Sequence, residues 1–112
     1  MQLLVLILKK VELVDELNLE LAEAGITGGT IIDGNGMAKS LMNMDEMPVF
    51  GHLRKILSDE SNESCKVMMF VLRDEHVLTA RETIKKVIGT LDKPNSAIMF
   101  AVPITYVEGL GE

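Results

Sequence analysis

The sequence predicts an α+β fold in which a four-stranded antiparallel sheet carries two helices on one face. Two stretches, Leu3–Leu8 and Val67–Leu72, are apolar at every position, which is typical of central strands covered on both faces. Each stretch is followed by an amphipathic helical pattern and then by a weaker strand pattern. The element order is therefore β-α-β, a connector and β-α-β, within a single domain spanning residues 1–112.

The first unit combines a buried strand, a helix and a short strand. After Leu3–Leu8, apolar residues recur every three or four positions from Val11 to Ala24, which predicts a helix with one buried face. Gly25 supplies the left-handed residue that ends many helices. Thr30–Asp33 carries β-branched residues between glycines and is predicted to be a short strand.

The second unit repeats this order. Lys66–Leu72 is predicted to be a strand, and Asp74 is predicted to cap the helix that follows. The apolar positions of this helix continue to Leu91. Its outer face carries the charged residues Arg81, Glu82, Lys85 and Lys86. Ala97–Val102 is predicted to be the last strand.

This order is the ferredoxin-like βαββαβ sandwich, in which the first strand of each unit is central. Two helices cover only one face of such a sheet. Because the central strands are apolar on both sides, we expect the open face to be buried by self-association. Ile104, Tyr106 and Val107 are a candidate short edge segment after the last strand.

The connector, residues 34–64, separates the two units. Phe50, Leu53 and Leu57 have helical spacing, which predicts a short helix over Pro48–Leu57. A connector this long is usually functional or mobile. Its first residues, Gly34-Asn35-Gly36, have two interpretations. They form either a tight turn with positive φ or a backbone that approaches a phosphate or carboxylate closely. A lone Gly-x-Gly favours the turn.

Charge and composition exclude several classes of protein. The net charge is −6, and Lys and Arg are scattered, so we predict no nucleic-acid partner. No window approaches about 18 uninterrupted apolar residues, so we predict no membrane insertion. Cys65 is the single cysteine, and it fits a reducing compartment, so we predict a cytoplasmic protein.

The polar residues do not form a catalytic pattern. His52 and His76 are not followed by histidine or carboxylate at the helical spacing of metal ligands. Ser58, Ser61 and Ser64 lie in an acidic segment without the glycine-flanked turn of a nucleophile. We therefore predict that the protein is not an enzyme.

Three segments carry a resemblance to a known family. They are Lys9–Asp15 after the first strand, Glu23–Gly28 with its Ala-Gly-Ile-Thr-Gly motif, and Gly34-x-Gly36 at the start of the connector. In these segments the chain resembles the nitrogen-regulatory PII signalling proteins and their PII-like relatives. The resemblance implies a homotrimer that binds a small effector in clefts between subunits. It also implies that a long loop, here residues 34–64, contacts a regulated target protein in nitrogen regulation.

The same comparison predicts that the usual nucleotide chemistry is absent. Met37 and Ala38 stand where the family has Arg and Gln, and residues 88–97 lack the paired glycines and final Lys of its phosphate-binding turn. Tyr106 and Glu108 stand where it has arginines after the last strand. We therefore expect no ATP and 2-oxoglutarate site of the usual form, and the effector stays unidentified. By analogy, the cleft is expected to be lined by Gly34, Gly36, Met37, Lys39, Gly89, Thr90 and Lys93.

Two alternatives remain open. One is a metal-responsive trimer, similar to the divalent-cation-tolerance proteins, which have the same architecture. Its candidate ligands are His52, Cys65, His76 and the methionines Met37, Met42, Met44 and Met47. The other is a structural oligomer that binds no ligand.

Overall fold

The predicted fold is confirmed by a computed structural model, which describes residues 1–37, 64–89, 91 and 97–111. Four antiparallel strands form one sheet in the order β2-β3-β1-β4, so the first strand of each unit is central, as predicted. The elements are β1 Gln2–Leu8, a 3-10 turn Val11–Leu13, α1 Val14–Glu23, β2 Gly29–Gly34, β3 Cys65–Leu72, α2 Asp74–Ile88 and β4 Ala97–Pro103.

The strand register determines which side chains share a face. Val5 of β1 lies opposite Met69 of β3 and Phe100 of β4, and Met69 lies opposite Thr30 of β2. Since side chains alternate along a strand, this row and its neighbours two residues away point to one face of the sheet. The intervening residues point to the other face, where the helices pack.

The core lies between the sheet and the two helices. Leu6, Leu8, Leu17 and Met68 are fully buried in it. The apolar stripes of the two helices supply its other side, which explains their periodicity. Its further buried members are Leu4, Leu21, Ile26, Phe70, Leu72, Val77, Ala80, Ile84 and Ala97.

The end of α1 is the one that the sequence predicts. Gly25 has a φ of +89°, and its N–H donates to the Ala22 carbonyl at 3.0 Å. The N–H of Ile26 donates to the Leu21 carbonyl at 2.8 Å. These two bonds form a Schellman motif, and the buried Ile26 side chain adds the apolar contact that often accompanies it.

The start of α2 differs from the prediction. The N-cap is Arg73, in an extended conformation, and Asp74 is the first helical residue. The Asp74 carboxylate does not cap the helix. Its Oδ1 accepts hydrogen bonds from the N-terminal ammonium of Met1 at 3.1 Å and from Gln2 Nε2 at 3.3 Å. The capping prediction is wrong because the Asp74 side chain is hydrogen-bonded to residues distant in sequence, Met1 and Gln2.

The Asp74→Asn variant is expected to lose a contribution to stability that is present at neutral pH and absent in acid. Hydrogen bonds from the N-terminal ammonium and then from Gln2 hold the pKa of the Asp74 carboxyl below its ordinary value. This contribution is present above the ordinary pKa of about 4 and is lost as the pH falls through the lower, folded-state value. Thermal midpoints of wild type and variant should therefore differ at neutral pH and converge in acid. A difference that persists in acid would contradict this origin. Glu75→Gln, at the next position, is the control.

The other end of α2 and the residues after β4 also differ from the sequence expectations. The helix ends at Ile88 rather than continuing to Leu91, which still packs against the core from beyond the helix end. After Pro103, the described residues 104–111 contain no strand, so the predicted edge segment is wrong. The Ile104 N–H instead donates to the Met1 carbonyl at 3.0 Å. The helix predicted over Pro48–Leu57 lies outside the described residues.

Candidate functional site

The predicted cleft residues on the β2 side lie at the end of that strand. Gly34 is its last residue, and Gly36 and Met37 follow it on the surface, with the Met37 side chain 79% exposed. Gly89 directly follows α2. Lys39, Thr90 and Lys93 lie outside the described residues. The structure therefore places four of the seven predicted residues.

These four residues lie at the same end of the sheet but at opposite edges. Gly34 pairs with Cys65 at the start of β3, and Leu8 at the end of β1 pairs with Ala97 at the start of β4. β3 and β1 separate the edge strands β2 and β4, a distance of about 14 Å at ~4.8 Å per strand. Gly89 lies beside β4. A ligand that touches both groups must span this distance or lie between two copies of the chain.

The structure also shows why glycine occupies position 34. Neither Gly34 nor Gly36 has a positive φ, so the interpretation as a positive-φ turn is wrong. A Cβ added at Gly34 would lie 2.9 Å from Cys65 Sγ, whereas one added at Gly36 would meet nothing within 4 Å. A side chain at position 34 would therefore require the Cys65 side chain on the neighbouring strand to shift. Gly89, with a φ of +88°, is the predicted cleft glycine whose backbone favours glycine.

Two candidate ligands of the metal-binding alternative, Cys65 and His76, cannot bind the same ion within one chain. Cys65 begins β3, and His76 lies in α2 beyond the other end of that strand. Eight strand residues at ~3.3 Å each keep the two side chains more than about 20 Å apart, too far to share one ion. Within residues 1–37, 64–89, 91 and 97–111, no three His, Cys, Asp or Glu side chains come together. His52, Met42, Met44 and Met47 lie outside this part of the chain.

The open face of the sheet is apolar on all four strands. Ile98, Phe100 and Val102 on β4 are 55%, 46% and 41% exposed, whereas Val5 at the centre is only 8% exposed. No charged side chain of the four strands points to this side. The other apolar members of the face are Leu3, Ile7, Ile32, Val67, Met69 and Val71. Such a surface is unusual on a protein that works as a monomer.

Two grooves were not expected from the sequence. One, of about 900 Å³, lies between α2 and β4, and Arg81 and Lys85 line it. The sequence placed both cations on the outer face of the helix, and their spacing of four residues was the only signal of a shared site. The other groove, of about 580 Å³, lies at the opposite end of the sheet from Gly34 and is lined by Thr27, Leu3 and His76 among others.

Comparison with known proteins shows the fold and nothing further. No protein-family model matches the chain, and no curated protein matches it. The crystal structure of a functionally unknown protein from Pediococcus pentosaceus is similar, with a TM-score of 0.63 and 14% identity. The alignment covers 96% of this chain and 95% of that one. Among the described residues, no helix is long and apolar enough to cross a membrane.

Proposed function

We propose that the chain is a PII-like regulatory protein that forms a homotrimer and binds a small effector in clefts between subunits. In this proposal it regulates a partner protein in nitrogen regulation and acts by binding rather than by catalysis. A cytoplasmic location belongs to the same proposal, because the only cysteine, Cys65, fits a reducing compartment. The observation that carries the proposal is the apolar open face.

The open face supports assembly because its apolar surface on β4 is exposed, while Leu110 lies near Leu3 and Val71 at one end of the face. The two helices pack on the opposite side, and the β4 side chains Ile98, Phe100 and Val102 remain largely exposed. Burial of this surface against other copies would remove apolar area from water, which is the main favourable contribution to most association. In a closed ring of copies, the open face of every copy is buried in an equivalent interface.

The positions of the predicted cleft residues support binding between subunits. Gly34, Gly36 and Met37 lie near one sheet edge and Gly89 lies near the other. In a ring of copies, an edge of one sheet comes close to an edge of its neighbour. An effector can then contact both groups without crossing the central strands. The regulatory role of the connector rests on the resemblance of the sequence, since residues 38–63 lie outside the described chain.

The test combines a mass measurement with a panel of ligands. Light scattering on a sizing column is expected to give three times the 12.3 kDa mass of the chain. Thermal melts against nucleotides, cyclic nucleotides, 2-oxoglutarate, bicarbonate and divalent metals should show a raised midpoint with at least one small anion, because a ligand of the folded state stabilises it. A monomeric mass would overturn the assembly and the clefts together.

Gly36→Asp is the matched variant for the effector. A side chain at Gly36 meets nothing within 4 Å, so the variant should fold, while its added negative charge should abolish the shift caused by an anion. Thr79→Asp, on the exposed surface of α2, should leave the shift unchanged. A trimer that no compound in the panel stabilises would instead support the structural oligomer. The metal-responsive alternative is less well supported, because Cys65 and His76 cannot meet in one chain.

A further inference from the structure

The groove between α2 and β4 lies wholly within one protomer, on the helix side of the sheet. Its volume of about 900 Å³ falls in the range of about 300–1,000 Å³ that is typical of small-molecule sites. From Val77 to Gly89 it follows α2 for about 18 Å, at 1.5 Å per residue. The groove is therefore long enough for an extended small molecule and needs no second copy of the chain.

The inner surfaces of the groove are apolar. Leu91, Met99 and Ala101 line one side, and the buried Leu4 and Val77 close the floor. Met99 is only partly buried, and Ala101 is exposed, so both offer apolar surface to a ligand. An apolar chain or ring placed here would lose its contact with water on more than one side, which favours binding.

The rim of the groove is cationic. Arg81 and Lys85 lie one turn apart on α2, an arrangement in which like charges repel each other. Within the described part of the chain neither forms an ion pair, although Glu82 lies three residues before Lys85. Lys86, on the same helix, is paired with Glu20 at 3.2 Å. Among the described residues, the groove thus presents two cations without a paired carboxylate, in a protein of net charge −6.

The charge and the backbone of the groove indicate the kind of anion. None of its described lining residues is acidic. The Gly89 N–H, the only glycine amide among the described lining residues, already donates to the Lys85 carbonyl at 2.8 Å. A polyphosphate needs several free amides as well as cations. Two cations beside an apolar wall match a single carboxylate attached to an apolar body, since Arg and Lys both pair well with carboxylates.

We propose that this groove binds a small organic carboxylate with an apolar chain, whose carboxylate pairs with Arg81 and Lys85 and whose chain lies against Met99 and Ala101. The site shares Gly89 with the proposed clefts between subunits, but its cationic and apolar contacts come from other residues. It does not depend on assembly, because all of its described lining residues belong to one protomer.

The test uses octanoate and its neutral analogue octanamide. Binding is measured by calorimetry at low salt, and the Met99 methyl resonance reports the position of the ligand by NMR. We expect octanoate to shift the Met99 resonance and to bind at least tenfold more tightly than octanamide. Equal affinities for the two compounds would overturn the proposal, as would the absence of octanoate binding or an unperturbed Met99 resonance.

Variants separate the cationic rim from the apolar wall. The double variant Arg81→Gln, Lys85→Gln should weaken octanoate binding at least tenfold and leave the affinity for octanamide unchanged. Lys86→Gln removes a cation of the same helix outside the groove and should change neither affinity. Ala101→Leu should fill part of the groove and therefore lower the affinity for both octanoate and octanamide. Octanoate binding that survives the double variant unchanged would overturn the proposal. If that variant does not fold, the two single substitutions test the rim.

Discussion

Replacing Ile98 with lysine is expected to dissociate the oligomer, whereas Leu78→Lys is expected to leave it intact. The two side chains are matched, since Ile98 is 55% exposed and Leu78 is 56% exposed in one copy of the chain. They differ in location, because Ile98 lies on the open face of the sheet and Leu78 on the outside of α2. A lysine buried in an apolar interface is costly, so we expect association to weaken by about 100-fold or more.

The comparison is made by light scattering over a range of concentrations, with circular dichroism to show that each variant is folded. Because Ile98 lies on an edge strand and is exposed in the single chain, its replacement should leave the fold of the protomer intact. A folded Ile98→Lys protein that retains the mass of the wild-type oligomer would show that the open face is not the interface. Dissociation of Leu78→Lys would place the interface on the helices instead.

Gly29→Ala is expected to destabilise the protomer by about 1–3 kcal/mol, the usual cost of overpacking a core. A Cβ at position 29 would lie 2.5 Å from Phe70 Cε1 and 2.7 Å from Cδ1. Phe70 is only 4% exposed, and Met68 and Leu72 flank it on the same strand, so its ring has little room to move. Gly28→Ala is the matched control, since an added Cβ there meets nothing within 4 Å.

Urea unfolding of the two variants and the wild type measures this difference. Phe70→Leu in the Gly29→Ala background should recover part of the loss, and the coupling free energy from the double-mutant cycle should be well above zero. Additive effects of the two substitutions would contradict a direct clash between position 29 and the ring. If Gly28→Ala and Gly29→Ala lowered the free energy of unfolding equally, the effect would come from the backbone rather than from packing against Phe70.

Local sequence patterns were sufficient to predict the fold. Leu3–Leu8 and Val67–Leu72 are apolar because both strands are central, with the helices on one side and the apolar open face on the other. Gly25 was predictable because the left-handed end of a helix is a local requirement. The order of the strands followed from the repeated β-α-β pattern, since few arrangements bury two such units.

Features that depend on contacts distant in sequence were not predictable. Asp74 has the side chain of a helix cap, but the N-terminal ammonium and Gln2 bind it instead. Gly34 looked like a turn residue, and its close neighbour is the thiol of Cys65, 31 positions later. The separation of Gly34 from Gly89 depends on the order of the strands, and the groove beside Arg81 depends on how α2 lies against β4. No pattern within one segment contains this information.

Cys65 is a single labelling site from which a fluorophore can report on both assembly and the connector. It is the only thiol in the chain, and it lies on the open face beside Gly34, where the connector begins. A fluorophore attached there would sit next to two surfaces with separate proposed roles, the one that meets other copies and the one that leads to the target protein. One label could therefore distinguish assembly from engagement of the connector, without any cysteine having to be removed or added.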